Sequence, residues 1–163
     1  MAEAGFTGDL RGSDFAGQRL AGAVFRDANL YRVSFSGADL EGAEFQNCFA
    51  AECCFEDARC ARLRASDSNF YRANLAGADL EDALFWRCVL AGADLRGARL
   101  RRVTITLDCN AFEELKVDRR TSTELAYLVG RMRSPHRQAW LDVIGQRGLL
   151  LLERVFQRKL SHK

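Results

Sequence analysis

The chain has 163 residues, of which 48% are hydrophobic and 28% are charged, and its formal net charge is +2. This length suits one domain or one repeat body with an appendage, and the apolar share is large enough to form a core. Residues 1–107 hold 13 Lys and Arg against 15 Asp and Glu, and residues 108–163 hold 11 against 7. Neither part has the strong charge excess typical of proteins that bind nucleic acid or membranes through a basic surface.

From Leu10 to Ile105 an apolar residue recurs at every fifth position. Sixteen of these twenty positions are Leu or Phe, and the residue two places before each is mostly Ala or another small side chain. A period of five, kept without an insertion, fits neither the 3.6-residue period of a helix nor the two-residue alternation of a strand. The stretch is therefore an internal repeat, and the rest of the chain is interpreted from it.

The repeat unit is a small residue, a polar residue, Leu or Phe, and two polar residues or glycines, and it resembles the pentapeptide-repeat family. It is clearest in residues 38–42, 78–82 and 93–97. The resemblance implies an all-β solenoid, a right-handed quadrilateral β-helix in which four pentapeptides form one coil. About five coils in residues 1–107, stacked at about 4.8 Å, would make a rod about 24 Å long. Glycines would occupy the corners, where a tight turn can require positive φ, and residues 108–163 would form an α-helical appendage.

The six cysteines and the N-terminus predict a cytoplasmic protein. Cys48, Cys53 and Cys88 fall at the small position of the repeat and Cys60 at its centre, as expected of compact core residues in a reducing compartment. The sequence contains no C-x-x-C pair, the spacing typical of zinc sites, so a zinc site is not expected. Residues 1–5 lack the features of a signal peptide, and no apolar run is long enough to span a membrane.

Stacking by twenty residues predicts columns of side chains on the outside of the solenoid. One such column alternates in sign along the rod: Arg19, Asp39, Arg59, Asp79 and Arg99. Each coil would then face its neighbours with opposite charges, a pairing that stabilises sheets by a few tenths of a kcal/mol per pair. We expect this ladder to fix the register of the coils and not to bind a partner.

Two adjoining sides are expected to carry an apolar surface. Their outward positions form a candidate interaction patch: Tyr31, Phe49, Tyr71, Leu84, Trp86 and Val89. A large exposed apolar patch usually contacts something. The chain's own C-terminal segment, a partner protein or a second subunit could cover it, or the aromatic residues could be scattered and exposed.

The repeat weakens at Ala50, Cys60 and Ala65, where the central residue is small. Leu63 fills the normally small slot beside Ala65, so side-chain volume is exchanged within one pentapeptide. The pattern predicts a repacked middle coil over residues 48–66, with a bulge as one way to accommodate it.

After Leu107 the pattern predicts helices. Thr121 and Glu124 match a capping box at a helix start, and Ser134 and Pro135 match a second start. The leucine-rich end predicts a helix that is apolar on more than one face and must be buried. The tail has to cover the open end of the last coil, and we expect it to form a homodimer as well. The candidate residues for this cap or dimer interface are Trp140, Leu149, Leu150, Leu151, Leu152, Val155 and Phe156.

No constellation of catalytic residues is visible. The two histidines, His136 and His162, lie in the tail, and the motifs of P-loop, dinucleotide-binding, zinc-protease and serine-hydrolase sites are absent. The acidic residues are spread over the repeats instead of being paired. The sequence therefore predicts a non-enzymatic protein without a metal or a cofactor.

The predicted function is a rigid scaffold for a protein partner whose identity the sequence does not give. The resemblance also implies an alternative, because some pentapeptide-repeat proteins mimic duplex DNA, bind type II topoisomerases such as gyrase and protect against quinolones. Mimicry requires dense negative charge, since DNA carries one phosphate about every 1.7 Å of its axis, and a repeat body at −2 disfavours it. Nucleic-acid binding by the basic tail is disfavoured too, because arginines on amphipathic helices usually form a solvated face. No membrane partner is expected.

Overall fold

Parallel backbone hydrogen bonds stack the repeat into a β-solenoid of about five coils. The structure is a computed structural model and describes residues 5–106 and 114–130. Six strands form one parallel sheet in chain order, namely β1 Gly5–Asp9, β2 Val24–Asn29, β3 Glu44–Gln46, β4 Arg64–Ser66, β5 Leu84–Trp86 and β6 Thr104–Ile105. The described part of the chain contains one helix, α1 Arg119–Gly130, and beyond Leu125 only its backbone is described.

One coil contains twenty residues and has four sides. Val24 pairs with Glu44, and Glu44 pairs with Arg64, so successive strands are twenty residues apart. We call the side that carries the strands side 1, and the next three along the chain sides 2, 3 and 4, which are joined by isolated parallel bridges at the same spacing. The centres are Phe25, Phe45, Ala65, Phe85 and Ile105 on side 1, Leu10, Leu30, Ala50, Phe70 and Leu90 on side 2, Phe15, Phe35, Phe55, Leu75 and Leu95 on side 3, and Leu20, Leu40, Cys60, Leu80 and Leu100 on side 4. The predicted four-sided solenoid is confirmed.

Stacked phenylalanine rings form much of the core. Phe25 and Phe45 are fully buried, and their rings stack in successive coils with centroids 4.7 Å apart. Phe35, on the opposite side 3, meets Phe25 edge-on at 5.4 Å. Aromatic rings prefer these stacked and edge-to-face arrangements. The prediction that the central residues share one axis is confirmed.

The first coil differs from the others by one residue. Phe6 pairs with Phe25, nineteen residues away, whereas Gly8 pairs with Ala28 at the usual twenty, so the register shifts between Phe6 and Gly8. The Phe6 ring stacks on Phe25 at 4.7 Å. The shift puts a phenylalanine into the central position, where the five-residue count from Leu10 would place a glycine.

In the middle coil a small centre on side 1, Ala65, is accompanied by a large centre on side 2, Phe70, and no bulge forms. Ala65 is buried and stays in register with Phe45 before it and Phe85 after it. The neighbouring centre, Phe70 on side 2, is also buried and lies 5.9 Å from the Phe45 ring and 5.6 Å from the Phe85 ring. A large side chain beside a small one conserves core volume, which proteins tolerate well. The middle coil is therefore repacked, and the bulge considered for it does not form.

A residue with positive φ stands at the corner after each side. Gly77 has a φ of 70°, and a Cβ at this position would meet the side chain of Asp57 in the preceding coil. Aspartate, asparagine, glutamate and arginine occupy other corners with φ between 50° and 59°, although this region is unfavourable for residues with a side chain. Some of them pair along the rod, as Arg102 does with Asp82 at 2.6 Å. The sequence predicted the glycine corners but not these charged ones.

The aspartate or asparagine before the centre of many repeats bonds to its own backbone. The Asn69 side-chain oxygen accepts a hydrogen bond from the Tyr71 amide at 2.8 Å, and Asp94 accepts one from the Arg96 amide at 3.1 Å. Short side chains with an oxygen at this position stabilise turns by such bonds. This local bond explains why the second position of the repeat is so often Asp or Asn.

The segment leading into α1 closes the open end of the solenoid with side-chain carboxylates. Within the body, the corresponding amides donate to main-chain carbonyls of the next coil. In the last coil, the Gly97 amide donates to Asp118 at 2.5 Å and the Leu100 amide donates to Glu124 at 2.9 Å. Leu125, only 3% exposed, packs against the end of the core. The two carboxylates thus take the place of the main-chain carbonyls that accept the corresponding amides in the body.

The start of α1 differs from the predicted capping box. Asp118 is the N-cap, because its Oδ1 accepts the Thr121 amide at 2.8 Å. Thr121 is fully buried, and its hydroxyl donates to the Leu95 carbonyl at 3.0 Å. Glu124 bonds to the coil end instead of to the helix start. The capping box predicted at Thr121 was therefore wrong, because these two side chains are used in tertiary contacts.

Among the described residues, no helix is long and apolar enough to cross a membrane.

Candidate functional site

Four of the five alternating charges of side 4 are paired within the solenoid, and Arg19, in the first coil, forms no ion pair among the described residues. Backbone bridges join the five positions of the predicted column in order, which confirms its register. Arg59 pairs with Asp39 at 3.3 Å and with Glu41 at 3.1 Å, and Arg99 pairs with Asp79 at 3.2 Å. Exposed pairs of this kind contribute only about 0–1 kcal/mol each. Side 4 therefore presents paired charges and not an open acidic or basic surface.

Three large apolar side chains are exposed among the described residues. Trp86 is 51% exposed, Phe49 45% and Val89 38%, and we call these three residues the exposed patch. Trp86 ends β5 on side 1, and Val89 follows it across one corner on side 2. Phe49 lies in the same column as Val89, but Asn69 stands between them. The exposed patch thus has two parts, Trp86 with Val89 and, two coils earlier on side 2, Phe49.

The two tyrosines of the predicted patch are half-buried and engaged in local contacts. Tyr31 stacks on Phe49 with centroids 6.1 Å apart, and its hydroxyl lies 3.2 Å from a Glu52 carboxylate oxygen. The Arg32 guanidinium covers the Tyr31 ring at 4.9 Å and pairs with Glu52 at 2.8 Å. Arg72 covers the Tyr71 ring in the same way, at 5.0 Å. Corner arginines therefore shield both tyrosines and leave the exposed patch as the accessible apolar surface.

A groove of about 280 Å³ lies on the outside of side 1, beside Trp86. Its walls are outward-facing side chains of three successive strands, β3, β4 and β5. They are Glu44, Gln46, Arg64, Ser66, Leu84 and Trp86. The groove is smaller than the 300–1,000 Å³ typical of sites for small molecules and cofactors, but it can hold one or two side chains of a partner.

Of the two charged side chains in this groove, Glu44 is hydrogen-bonded and Arg64 has no partner among the described residues. Gln46 donates to Glu44 at 2.9 Å and accepts from Arg26 at 3.0 Å. Arg64 is exposed and stands next to Glu44 in the register, yet within residues 5–106 and 114–130 it forms no ion pair. By contrast, Arg62 pairs with Glu41. The groove therefore combines an apolar wall with a guanidinium that is available to a ligand.

A second cavity, of about 490 Å³, lies where sides 2 and 3 meet near Lys116. Its charged groups are mostly engaged with each other. Arg72 lies 3.9 Å from Glu114, and Asp94 pairs with Arg96 at 2.5 Å. The Arg96 guanidinium lowers the pKa of the Asp94 carboxyl below its usual value. Lys116, which also lines this cavity, is exposed and forms no ion pair with the described residues, but no exposed large apolar side chain lines the cavity as Trp86 lines the groove on side 1.

The described cysteines are core residues. Cys48, Cys53, Cys60 and Cys88 are buried, and Cys54 is half-buried. Burial raises the pKa of both Cys53 and Cys60 to about 12, so both remain protonated at neutral pH, and a thiol that is not a thiolate is a poor nucleophile and metal ligand. No group of three or more potential metal ligands lies together in residues 5–106 and 114–130.

The predicted cap and dimer residues lie outside the part of the chain that the structure describes. These residues are Trp140, Leu149, Leu150, Leu151, Leu152, Val155 and Phe156. Of the tail, Asp118, Glu124 and Leu125 contact the end of the solenoid, and a cap formed by the predicted residues stays a prediction. Homodimer formation stays a prediction.

A family model described as pentapeptide repeats matches the chain in eight copies, over residues 9–47, 53–83 and 68–106. The uncharacterized protein YjcF of Escherichia coli strain K12 is 48% identical over 40 residues, which are 24% of this chain and 9% of that protein. The chain thus matches less than a tenth of the length of this relative.

Two solved structures are among those to which the chain is similar. A pentapeptide repeat protein of the Arabidopsis thaliana thylakoid lumen is 26% identical, with a TM-score of 0.48, over 58% of this chain and 69% of that one. QnrB1, a plasmid-mediated fluoroquinolone resistance protein, is 15% identical, with a TM-score of 0.37, over 78% of this chain and all of that one.

Proposed function

This chain belongs to the pentapeptide repeat family, and on that premise we propose that it is a non-enzymatic scaffold that binds a protein partner where sides 1 and 2 meet. The observation that carries the proposal is the exposed patch of Trp86, Phe49 and Val89. Exposed tryptophan and phenylalanine are costly in water and are enriched where proteins contact each other. Stacked coils hold these residues on a rigid surface, so little conformational entropy is lost on binding.

The free thiols also bear on the location of the protein. Cys48, Cys53, Cys54 and Cys60 are free thiols, as is usual in reducing compartments. We therefore retain the cytoplasm as the proposed location.

Imitation of duplex DNA toward a type II topoisomerase is the alternative, and the surface charges do not favour it. A DNA mimic needs carboxylates in place of phosphates along its length. On side 4 the carboxylates of Asp39, Glu41 and Asp79 are paired with arginines. The pairing neutralises the column that would have to imitate a phosphate strand.

Site-specific photo-crosslinking tests the proposed interface. A photoreactive phenylalanine analogue at Phe49 or at Trp86 is expected to form an adduct of discrete mass in cells that express the protein. The same analogue at Ala16, an exposed position on side 3, is the control and is expected to form none. The adduct at Phe49 should be lost when Val89 and Trp86 are both replaced by serine. Equal labelling at Ala16, or an adduct that survives the serine replacements, would exclude the exposed patch as the interface.

A further inference from the structure

The groove on side 1 has the features of a recognition site for a short peptide segment. Trp86 and Leu84 of β5 form an apolar wall, and Ser66 forms a low floor next to Trp86 on β4. Arg64, also on β4, contributes a positive charge. An apolar surface beside an unpaired guanidinium matches a ligand that has an apolar side chain next to an anionic one.

Arg64 differs from most of the arginines around it because its guanidinium is not used within the described structure. Arg26 on the same side donates to Gln46 at 3.0 Å, and Arg87 at the next corner pairs with Asp67 at 3.1 Å. Glu44 is adjacent to Arg64 in the register, but its carboxylate accepts from Gln46 at 2.9 Å. An arginine that is free to form two parallel hydrogen bonds is well suited to hold a carboxylate.

We propose that this groove binds an extended acidic peptide segment of a partner protein, with a carboxylate on Arg64 and the neighbouring apolar side chain against Trp86 and Leu84. The inference rests on the proposed scaffold function and names the chemistry of the partner. The volume of about 280 Å³ admits one or two side chains and not a folded surface. The partner segment therefore contributes a short motif.

The local charges favour a peptide over nucleic acid. A nucleic-acid strand brings a phosphate at every nucleotide, and proteins bind it with several cations along a groove. Here the Glu44 carboxylate lies within the groove and the Asp67 carboxylate at the next corner. One free arginine between carboxylates suits a ligand with one or two negative charges.

Fluorescence polarisation with a labelled peptide tests the proposal. The probe is Ser-Glu-Phe-Glu-Ser, and the comparison peptides are Ser-Gln-Phe-Gln-Ser, which lacks the charge, and Ser-Glu-Ser-Glu-Ser, which lacks the apolar group. We expect saturable binding of the probe to the full chain, and binding about tenfold weaker for each comparison peptide, since each lacks one half of the recognition.

Substitutions in the groove distinguish the contribution of the Arg64 charge to binding from that of the apolar wall. Arg64→Gln and Trp86→Ser should each weaken probe binding about tenfold. Glu44→Gln should strengthen it, because it removes a like charge from the groove. Arg19→Gln is the matched control, since Arg19 is exposed on side 4 and has no ion pair among the described residues, and it should leave binding unchanged. Circular dichroism of every variant checks that the solenoid is folded.

Three results would overturn the proposal: no saturable binding of the probe, equal binding of the uncharged peptide, or an Arg64→Gln variant that binds as well as the parent. Tighter binding of a short oligothymidylate of the same net charge would also overturn it, in favour of nucleic acid. If the peptide fails while the crosslink at Trp86 persists, the scaffold function stands and only the acidic motif is wrong.

Discussion

Replacing Phe45 with alanine is expected to lower the free energy of unfolding by about 3–5 kcal/mol, the usual cost of removing a buried aromatic ring. The Phe45 ring is fully buried. It stacks on Phe25 at 4.7 Å and meets Phe55 and Phe70 edge-on, each at 5.9 Å. Its loss leaves a cavity bounded by residues of three coils, and the stacked backbone has little freedom to collapse into that cavity.

Urea unfolding followed by circular dichroism measures this effect. Phe49→Ala is the matched control, because it removes the same ring from an exposed position four residues away. Its free energy of unfolding should change by about 0.5 kcal/mol or less, as for most surface substitutions. The stacked-core account fails if the two variants are equally stable.

The second large effect is expected from the carboxylates that close the solenoid. Replacing both Asp118 and Glu124 with alanine removes the acceptors of the Gly97 and Leu100 amides. It also removes the N-cap of α1. Leu100 is buried whereas Gly97 is exposed and its amide can bond to water. One unsatisfied buried donor costs about 1–3 kcal/mol and a lost N-cap about 0.5–2 kcal/mol, so we expect a loss of about 1.5–5 kcal/mol in the free energy of unfolding. Glu114→Ala is the control in the same segment, since Glu114 makes only a long, exposed ion pair, at 3.9 Å.

The contribution of Asp118 to the free energy of unfolding should decrease at low pH. Amide donors, first that of Thr121 and then that of Gly97, lower the pKa of the Asp118 carboxyl below its usual value of 3.8. The group is charged more readily in the folded than in the unfolded protein, so its stabilisation is complete above the unfolded pKa and is lost as the pH falls through the lower folded pKa. The difference in unfolding free energy between the parent and Asp118→Ala should therefore shrink in strong acid. A difference that is independent of pH would show that the charge plays no part.

The solenoid was predictable because its period is visible in the residues themselves. The central Leu or Phe and the small residue before it recur at a fixed spacing, and the spacing determines which side chains share the axis. Local exceptions were less visible. The shift at Phe6 depends on how its ring stacks on Phe25, and the filling of the space beside Ala65 depends on Phe70 from the next side.

The candidate site could be predicted only in outline. The spacing placed Trp86 and Val89 on adjoining sides, but the shielding of Tyr31 and Tyr71 by corner arginines depends on side-chain conformations that spacing does not fix. Arg64 could not be recognised in advance. It lies next to Glu44 in the register, and the hydrogen bond that Glu44 accepts from Gln46 gives a structural reason why the two do not form an ion pair. The helix start was misplaced for a similar reason, since Thr121 and Glu124 contact the coil end.

The assignment of side chains to the four sides depends on a spacing of twenty residues per coil, and a disulfide tests this spacing most directly. Ser34 and Cys54 are partners in adjacent coils of side 3. Adjacent strands are about 4.8 Å apart, which is within the Cα separation of about 4.4–6.8 Å that disulfides require. After mild oxidation, Ser34→Cys should give a disulfide between the new cysteine and Cys54, detected by peptide mass mapping. Ser36→Cys, eighteen residues from Cys54, should not cross-link. A disulfide in the Ser36→Cys variant and none in the Ser34→Cys variant would contradict the spacing and the side assignments derived from it.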